Sequence, residues 1–270
     1  MKSFVALLML GHPAFAAFES YTPGARSIGM GGVSVALVNN EWAAFANPGV
    51  LNSLQQRSIS VFFSPQPFGL KELSRGSFSY VEPTSVGRFG LSGSRFGFAL
   101  YRETALGVSY GNSVSDAFEY GLTLTYYSLI IQNYGTDWTL GVDVGALVHI
   151  SDQVSSGFAA FNVNAPTIGT ANEKLPQVYS TGIAYQPIPE ATLGIALVKD
   201  IRFPTEFHVG LEYAIFDVVA LRGGLTNEPA TMNAGVGISY SFVKFDYAFS
   251  SHVDLGTTHD LSISLLLGSL

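Results

Sequence analysis

The sequence predicts an all-β fold, a transmembrane antiparallel β-barrel of about fourteen strands with a short N-terminal plug or cap segment that contains a small helix. Three observations point there. Only 12% of the 270 residues are charged and 47% are apolar, with a mean hydropathy of +0.30; ordinary soluble domains are about 25% charged. Apolar residues recur at every second position through most of the chain, which is the period of a strand. No segment reaches the roughly 18 unbroken apolar residues of a membrane helix. The 20 Phe and 13 Tyr argue against disorder, and a formal charge of -7 argues against a nucleic-acid surface. With no cysteine, disulfide scaffolds and thiolate metal sites are excluded.

The first element is an export signal over residues 1–16. Lys2 precedes the apolar run Phe4 to Leu10, Gly11 and Pro13 break it, and Ala14-Phe15-Ala16 offers small residues at the positions a signal peptidase reads. The run is too short to span a bilayer. Residues 17–57 form the expected plug or cap. Gly29, Gly31 and Gly32 precede a short predicted strand, Val33 to Leu37, and a predicted helix, Glu41 to Ala46, ends at Asn47-Pro48 because proline cannot continue it. Trp42 lies on that helix and belongs to the plug segment. The segment is too small for a domain, and a barrel of fourteen strands encloses more room than small interior side chains fill.

Residues 58–270 form the barrel. Strands are predicted at 58–64, 75–81, 87–98, 104–112, 118–131, 136–150, 154–163, 177–186, 191–199, 205–215, 218–225, 231–242, 243–250 and 258–268. From Trp138, one parity reads Trp138, Leu140, Val142, Val144, Ala146, Val148 and Ile150, and the other Thr139, Gly141, Asp143, Gly145, Leu147 and His149. The same contrast recurs at 207–215 and 235–242, then flips at Val243, which marks a tight turn. A soluble sheet would place Lys, Glu and Asp on its wet face, whereas here that face is mostly Gly, Ser, Thr and Ala. It suits a confined interior, with lipid on the apolar face, where a buried Lys or Arg costs roughly 2–4 kcal/mol. Lys199 shares the apolar parity but lies at a strand end, where its stem can reach the headgroups. Twelve strands is the alternative count, because the second, third and seventh alternate poorly. Tyr120, Tyr126, Trp138, Tyr179, Tyr185, Tyr213, Tyr240 and Tyr247 are candidates for interfacial girdles.

Sequence motifs for chemistry are weak. Gly29-Met30-Gly31-Gly32 lacks the spacing and preceding strand of a nucleotide site and reads as close backbone packing. His149 and Ser151 share an interior face, but no third group is evident to orient the histidine. His252, Asp254, His259 and Asp260 read as a solvated turn in preference to a metal site. No cofactor, metal or catalytic residue is expected, and the chain reads as a non-enzyme. The informative constellation is a lumen polar network. Glu212 and Arg222 lie on the interior face of consecutive strands, with Asp143, His208, Lys244 and Asp246 on that face elsewhere. Such groups survive at membrane depth when paired or wet. They would form either a clamp holding plug to wall or a polar constriction that tunes permeation or grips a ligand headgroup.

A resemblance accompanies this reading. Gly24-Ala25-Arg26-Ser27-Ile28-Gly29-Met30-Gly31-Gly32-Val33, followed by Ala43-Ala44-Phe45-Ala46-Asn47-Pro48-Gly49, resembles the opening of PorV/PorQ-like outer-membrane proteins, relatives of the FadL hydrophobic-compound channels. Asn162 to Pro166, Pro204 to Tyr213, Phe245 to Phe249 and Leu255 to His259 are similar to later parts of the same family. The resemblance implies a FadL-like barrel with an N-terminal segment inside it, in the outer membrane of a Gram-negative bacterium. It implies a docking or accessory component for protein secretion or surface attachment, with secretion-system subunits or exported cargo as partners beside the lipid. The alternative is a FadL-like passive channel with a small hydrophobic ligand; Phe62, Tyr127, Leu129, Leu147 and Leu266, on the mainly polar parity, could line its path or fill space under the plug.

Overall fold

The computed structural model describes residues 17–19, 21, 23–216 and 218–268. The expected leader, 1–16, lies outside the described residues. The barrel strands are β1 (Arg57–Ser64), β2 (Arg75–Thr84), β3 (Gly87–Gly97), β4 (Tyr101–Ser115), β5 (Phe118–Ile131), β6 (Gly135–Ser151) and β7 (Val154–Phe161). They continue with β8 (Val178–Ile188), β9 (Ala191–Asp200), β10 (Glu206–Phe216), β11 (Val219–Asn227), β12 (Ala230–Tyr240), β13 (Val243–His252) and β14 (Gly256–Leu267). Each pairs antiparallel with its chain neighbours, and β14 closes on β1 through pairs such as Val61 with Ile263, giving one closed barrel of fourteen strands. A two-strand hairpin, Thr167–Ile168 with Glu173–Lys174, sits in the β7–β8 connection.

The fourteen-strand count holds, and the weak alternation of β2 and β3 has a packing cause. Gly93 on β3 leaves a gap on the outer face that the Phe78 ring of β2 covers. Outward positions are apolar and exposed, among them Ile59, Val61, Leu122, Leu124, Val209 and Leu211. Inward neighbours such as Ser58, Ser60, Thr123 and Ser262 are buried. Among the described residues, Lys, Arg, Asp and Glu stand on the outward parity only near strand ends: Arg57 and Glu82 at one rim, and Arg95, Arg102 and Lys199 at the other. Lys199 Nζ donates to the Phe203 carbonyl. The eight girdle candidates all point outward, with Tyr120, Tyr185, Tyr213 and Tyr240 toward one rim and Tyr126, Trp138, Tyr179 and Tyr247 toward the other. An apolar band between aromatic and charged rims is the surface that acyl chains cover.

The two ends differ. The connections β2–β3, β4–β5, β6–β7, β8–β9, β10–β11 and β12–β13 are two-residue turns, and both ends of the barrel sequence lie on that side. The parity flip at Val243 is one of these turns, at Ser241-Phe242, so the strand expected over 231–242 stops at Tyr240. The opposite end carries the longer connections 65–74 and 162–177.

Residues 24–54 lie inside the barrel as helix α1 (Ala25–Gly29), helix α2 (Ala43–Ala46) and a 3-10 helix over Pro48–Ser53. The strand expected over Val33 to Leu37 does not form. Every wall strand already has two partners, so no edge is open to it. Val33, Val35, Ala36 and Leu37 are buried all the same, packing with Met30, Val50 and Leu51 against Leu147, Ala159, Ala184 and Ala196 of the wall. An apolar run buried on all sides needs no strand to account for it.

Candidate functional site

The site is the lumen where this segment meets the wall. Asn47 leaves α2 with an extended backbone, φ -167. Its Oδ1 accepts from Gly49 N at 2.9 Å, while its Nδ2 donates to Val35 O at 2.7 Å and to Ala146 O on β6 at 2.9 Å. One side chain therefore caps the 3-10 helix opened by Pro48 and ties it to the wall. Gly49 is required for that approach, since a Cβ there would lie 2.7 Å from the Ala146 backbone. At Gly31, φ is +66 and a Cβ would meet Leu225 N at 2.8 Å and Val209 O at 2.9 Å. Gly32 abuts the His208 ring, and Gly29 approaches the Gly235 backbone. Trp42, 2% exposed, packs edge-on to Phe62 at 6.0 Å.

The expected polar network is partly assembled. Glu212 on β10 faces Arg222 on β11 in register, and Arg222 Nε donates to Glu212 Oε2 at 2.6 Å. Arg222 Nη1 donates to Asp246 Oδ1 on β13 at 2.6 Å. From α1, Arg26 clasps the same carboxylate through Nη2 at 2.7 Å and Nε at 3.0 Å. Desolvation opposes the Arg26 charge, but the Glu212 carboxylate more than offsets it and raises the pKa above its ordinary value. Lys244 pairs with Glu41 of the segment, Nζ to Oε1, at 2.5 Å. His208 stands apart: its Nδ1 donates to the Gly31 carbonyl at 2.6 Å and its Nε2 faces Glu206 at 3.1 Å. Asp143 is on another side of the barrel, accepting from Asn162 N at 2.8 Å. Two partners were missed, Arg26 and Glu41. The signal was present, since they are the only charged residues between Glu19 and Arg57.

The weaker motifs resolve as follows. His149 does have an orienting group, Glu119 Oε1 at 2.9 Å from Nε2, which corrects the sequence reading. Ser151 Oγ accepts from Gln153 N. His252 Nδ1 accepts from the Asp254 and Leu255 backbone, His259 points outward and bonds the Tyr247 hydroxyl, and Asp260 points inward, so the four residues do not converge. Phe62, Leu129 and Leu147 are buried by packing: Phe62 against Trp42, Leu129 with Ala17, Ile168 and Leu175, and Leu147 in the cluster around Leu51.

Cavities lie on either side of the filled middle. At the two-residue-turn end, a polar vestibule of about 580 Å³ is bordered by Arg26, Glu41, Glu212, Arg222, Lys244 and Asp246. Toward the longer-loop end, a cavity of about 140 Å³ lies between the segment (Phe18, Tyr21, Phe45) and β2 to β6 (including Arg75, Ser77 and Tyr127). The network thus lies between the segment and the turn-end vestibule, and the aromatic cavity lies on its other side.

No protein-family model matches the chain, and no curated protein matches it in sequence. Solved structures do. The Ralstonia pickettii toluene transporter TbuX aligns at 14% identity and TM-score 0.66, over 93% of this chain and 99% of that one. A Pseudomonas aeruginosa FadL homologue aligns at 13% and 0.67, over 93% and 99%. The P. putida toluene transporter TodX aligns at 12% and 0.68, over 93% and 100%. The likeness read from the sequence therefore holds at the level of the barrel and is not carried to the PorV/PorQ branch. At these identities the comparisons establish the architecture, and the chain has the fourteen-stranded FadL-like barrel fold.

Proposed function

We propose that this protein is a noncatalytic outer-membrane channel through which small hydrophobic compounds pass passively, in the envelope of a Gram-negative bacterium after removal of the leader. The observation that carries the reading is the aromatic cavity of about 140 Å³ between the N-terminal segment and the wall of a FadL-like barrel. By the usual asymmetry of such barrels, the two-residue turns face the periplasm and the longer connections the exterior. The cavity then lies on the entry side, with the segment as a plug below it. With the middle of the lumen filled, passage requires the segment to shift, and the Arg26–Glu212 and Lys244–Glu41 pairs hold it in place. The network serves this reading as a clamp. Docking of secretion subunits or cargo has less support, because connections at the outer end other than 65–74 and 162–177 are only a few residues long.

The test is accumulation of a radiolabelled alkylbenzene by cells with a lipopolysaccharide-containing outer membrane, with and without the protein. Faster, saturable uptake is expected with it. Equal rates would refute the proposal.

A further inference from the structure

The outer cavity has a chemistry more specific than hydrophobicity. Its volume of about 140 Å³ suits one aromatic ring, since a dry cavity of about 150 Å³ takes up benzene. Rings supply part of its lining: Phe18, stacked edge-on to Tyr127 at 4.9 Å, and Phe45. The remaining wall is polar. The Arg75 guanidinium lies over both the Tyr21 and the Phe96 rings, 4.6 Å from each centroid, and its N–H groups are left for a partner. Among the described residues, Arg75 makes no hydrogen bond or ion pair. Ser77, on the same inward face of β2 and 8% exposed, has a hydroxyl without a protein partner, and so has Tyr21. Burial, then the nearby Asp260 carboxylate, pushes the Tyr21 hydroxyl well above its ordinary pKa, so it remains a donor. A plain hydrocarbon would leave the Arg75 N–H groups unsatisfied, at a cost; the two hydroxyls, closed off from the cavity surface, would have to turn to reach a ligand.

Charge narrows the class further. Arg75 borders the cavity together with Glu19, Glu103 and Asp143, while the Arg95 side chain shares the outward parity of β3. Glu103 already accepts from Phe18 N at 2.9 Å and the Tyr101 hydroxyl at 2.6 Å. An added carboxylate would join an acidic surround, and an added cation would face the Arg75 donors. Resting on the channel reading, we infer that this cavity binds a neutral monoaromatic compound bearing an oxygen acceptor, of the phenol class, in preference to a hydrocarbon or an aromatic acid.

Binding of p-cresol, p-xylene and p-toluate to the purified protein in lipid nanodiscs, by calorimetry, tests this. The native protein is expected to bind p-cresol most tightly, although p-xylene is the more hydrophobic. The ratio of the p-xylene to the p-cresol Kd is expected to fall about tenfold in Arg75→Met, the loss of one charge-assisted hydrogen bond. Ser77→Ala keeps the arginine stack and is expected to lower the ratio by a smaller factor. Tighter binding of p-xylene or p-toluate to the native protein, or a ratio unmoved by both substitutions, would overturn the inference while alkylbenzene uptake still upheld the channel. Failure of all three to bind, with no protein-dependent uptake, would overturn both.

Discussion

Glu212→Gln tests the clamp between segment and wall. The native carboxylate accepts three hydrogen bonds, from Arg26 at 2.7 and 3.0 Å and from Arg222 at 2.6 Å. Glutamine keeps the shape but removes the charge, and its amide nitrogen turns a donor toward another donor. The two guanidinium groups then keep only the nearby Asp246 and Glu41 carboxylates, the second already paired with Lys244. Losing one partner of a buried pair costs roughly 3–5 kcal/mol. The Arg26 and Glu212 side chains keep 17% and 13% exposure, so about 3 kcal/mol is expected. Trp42, in the segment, and Trp138, on the outer wall, are the two tryptophans. In a Trp138→Phe background, Trp42 fluorescence during urea titration in lipid vesicles therefore reports release of the segment. Arg26→Met combined with Glu212→Gln should destabilise by clearly less than the sum of the single effects, because the stranded cation is gone. A Glu212→Gln effect under about 0.5 kcal/mol, or strict additivity, would refute the clamp.

Other substitutions test the same contacts and the outer face. Gly49→Ala places a methyl group 2.7 Å from the Ala146 backbone, which cannot rotate away, and is expected to destabilise segment docking by about 1–3 kcal/mol in the Trp42 titration. Asn47→Ala leaves the Val35 and Ala146 carbonyls and the Gly49 amide without their partner and is expected to cost about 2–4 kcal/mol by the same measurement. Leu124→Arg, at a position 48% exposed midway along β5, is expected to cost roughly 2–4 kcal/mol in folding into bilayers, and a neutral result would argue against lipid at that face.

The wall was legible because each strand has one face in a narrow, small-residue lumen and the other in an apolar surround, so period two survives along nearly its whole length. Where it weakened, as at Gly93, a ring from the next strand supplied the missing bulk, and a single-strand pattern cannot register that. The segment was harder. Val33 to Leu37 is apolar because it is buried on every side, a state whose pattern is the same for strand, helix or turn. Helix α1 is spelled Ala-Arg-Ser-Ile-Gly and carries no amphipathic signal, since the wall surrounds it. In the polar network, register alone paired Glu212 with Arg222, but Arg26 and Glu41 reach the wall across more than 180 residues of sequence. Their isolation in a low-charge stretch was the available clue. Asp143 and His208 shared the inward parity without sharing a place, because parity gives the face of a strand and not its position around the barrel.

The most direct test of the account is the environment of successive positions on β5. Nitroxide labels placed one at a time at residues 121–126 in lipid vesicles would be read by collision with oxygen, which concentrates among acyl chains, and with a water-soluble nickel chelate. Oxygen accessibility is expected to peak at 122, 124 and 126 and fall at 121, 123 and 125, with the nickel complex excluded from the peaks. High nickel accessibility at 122 and 124 would place water on the outer face and contradict the account.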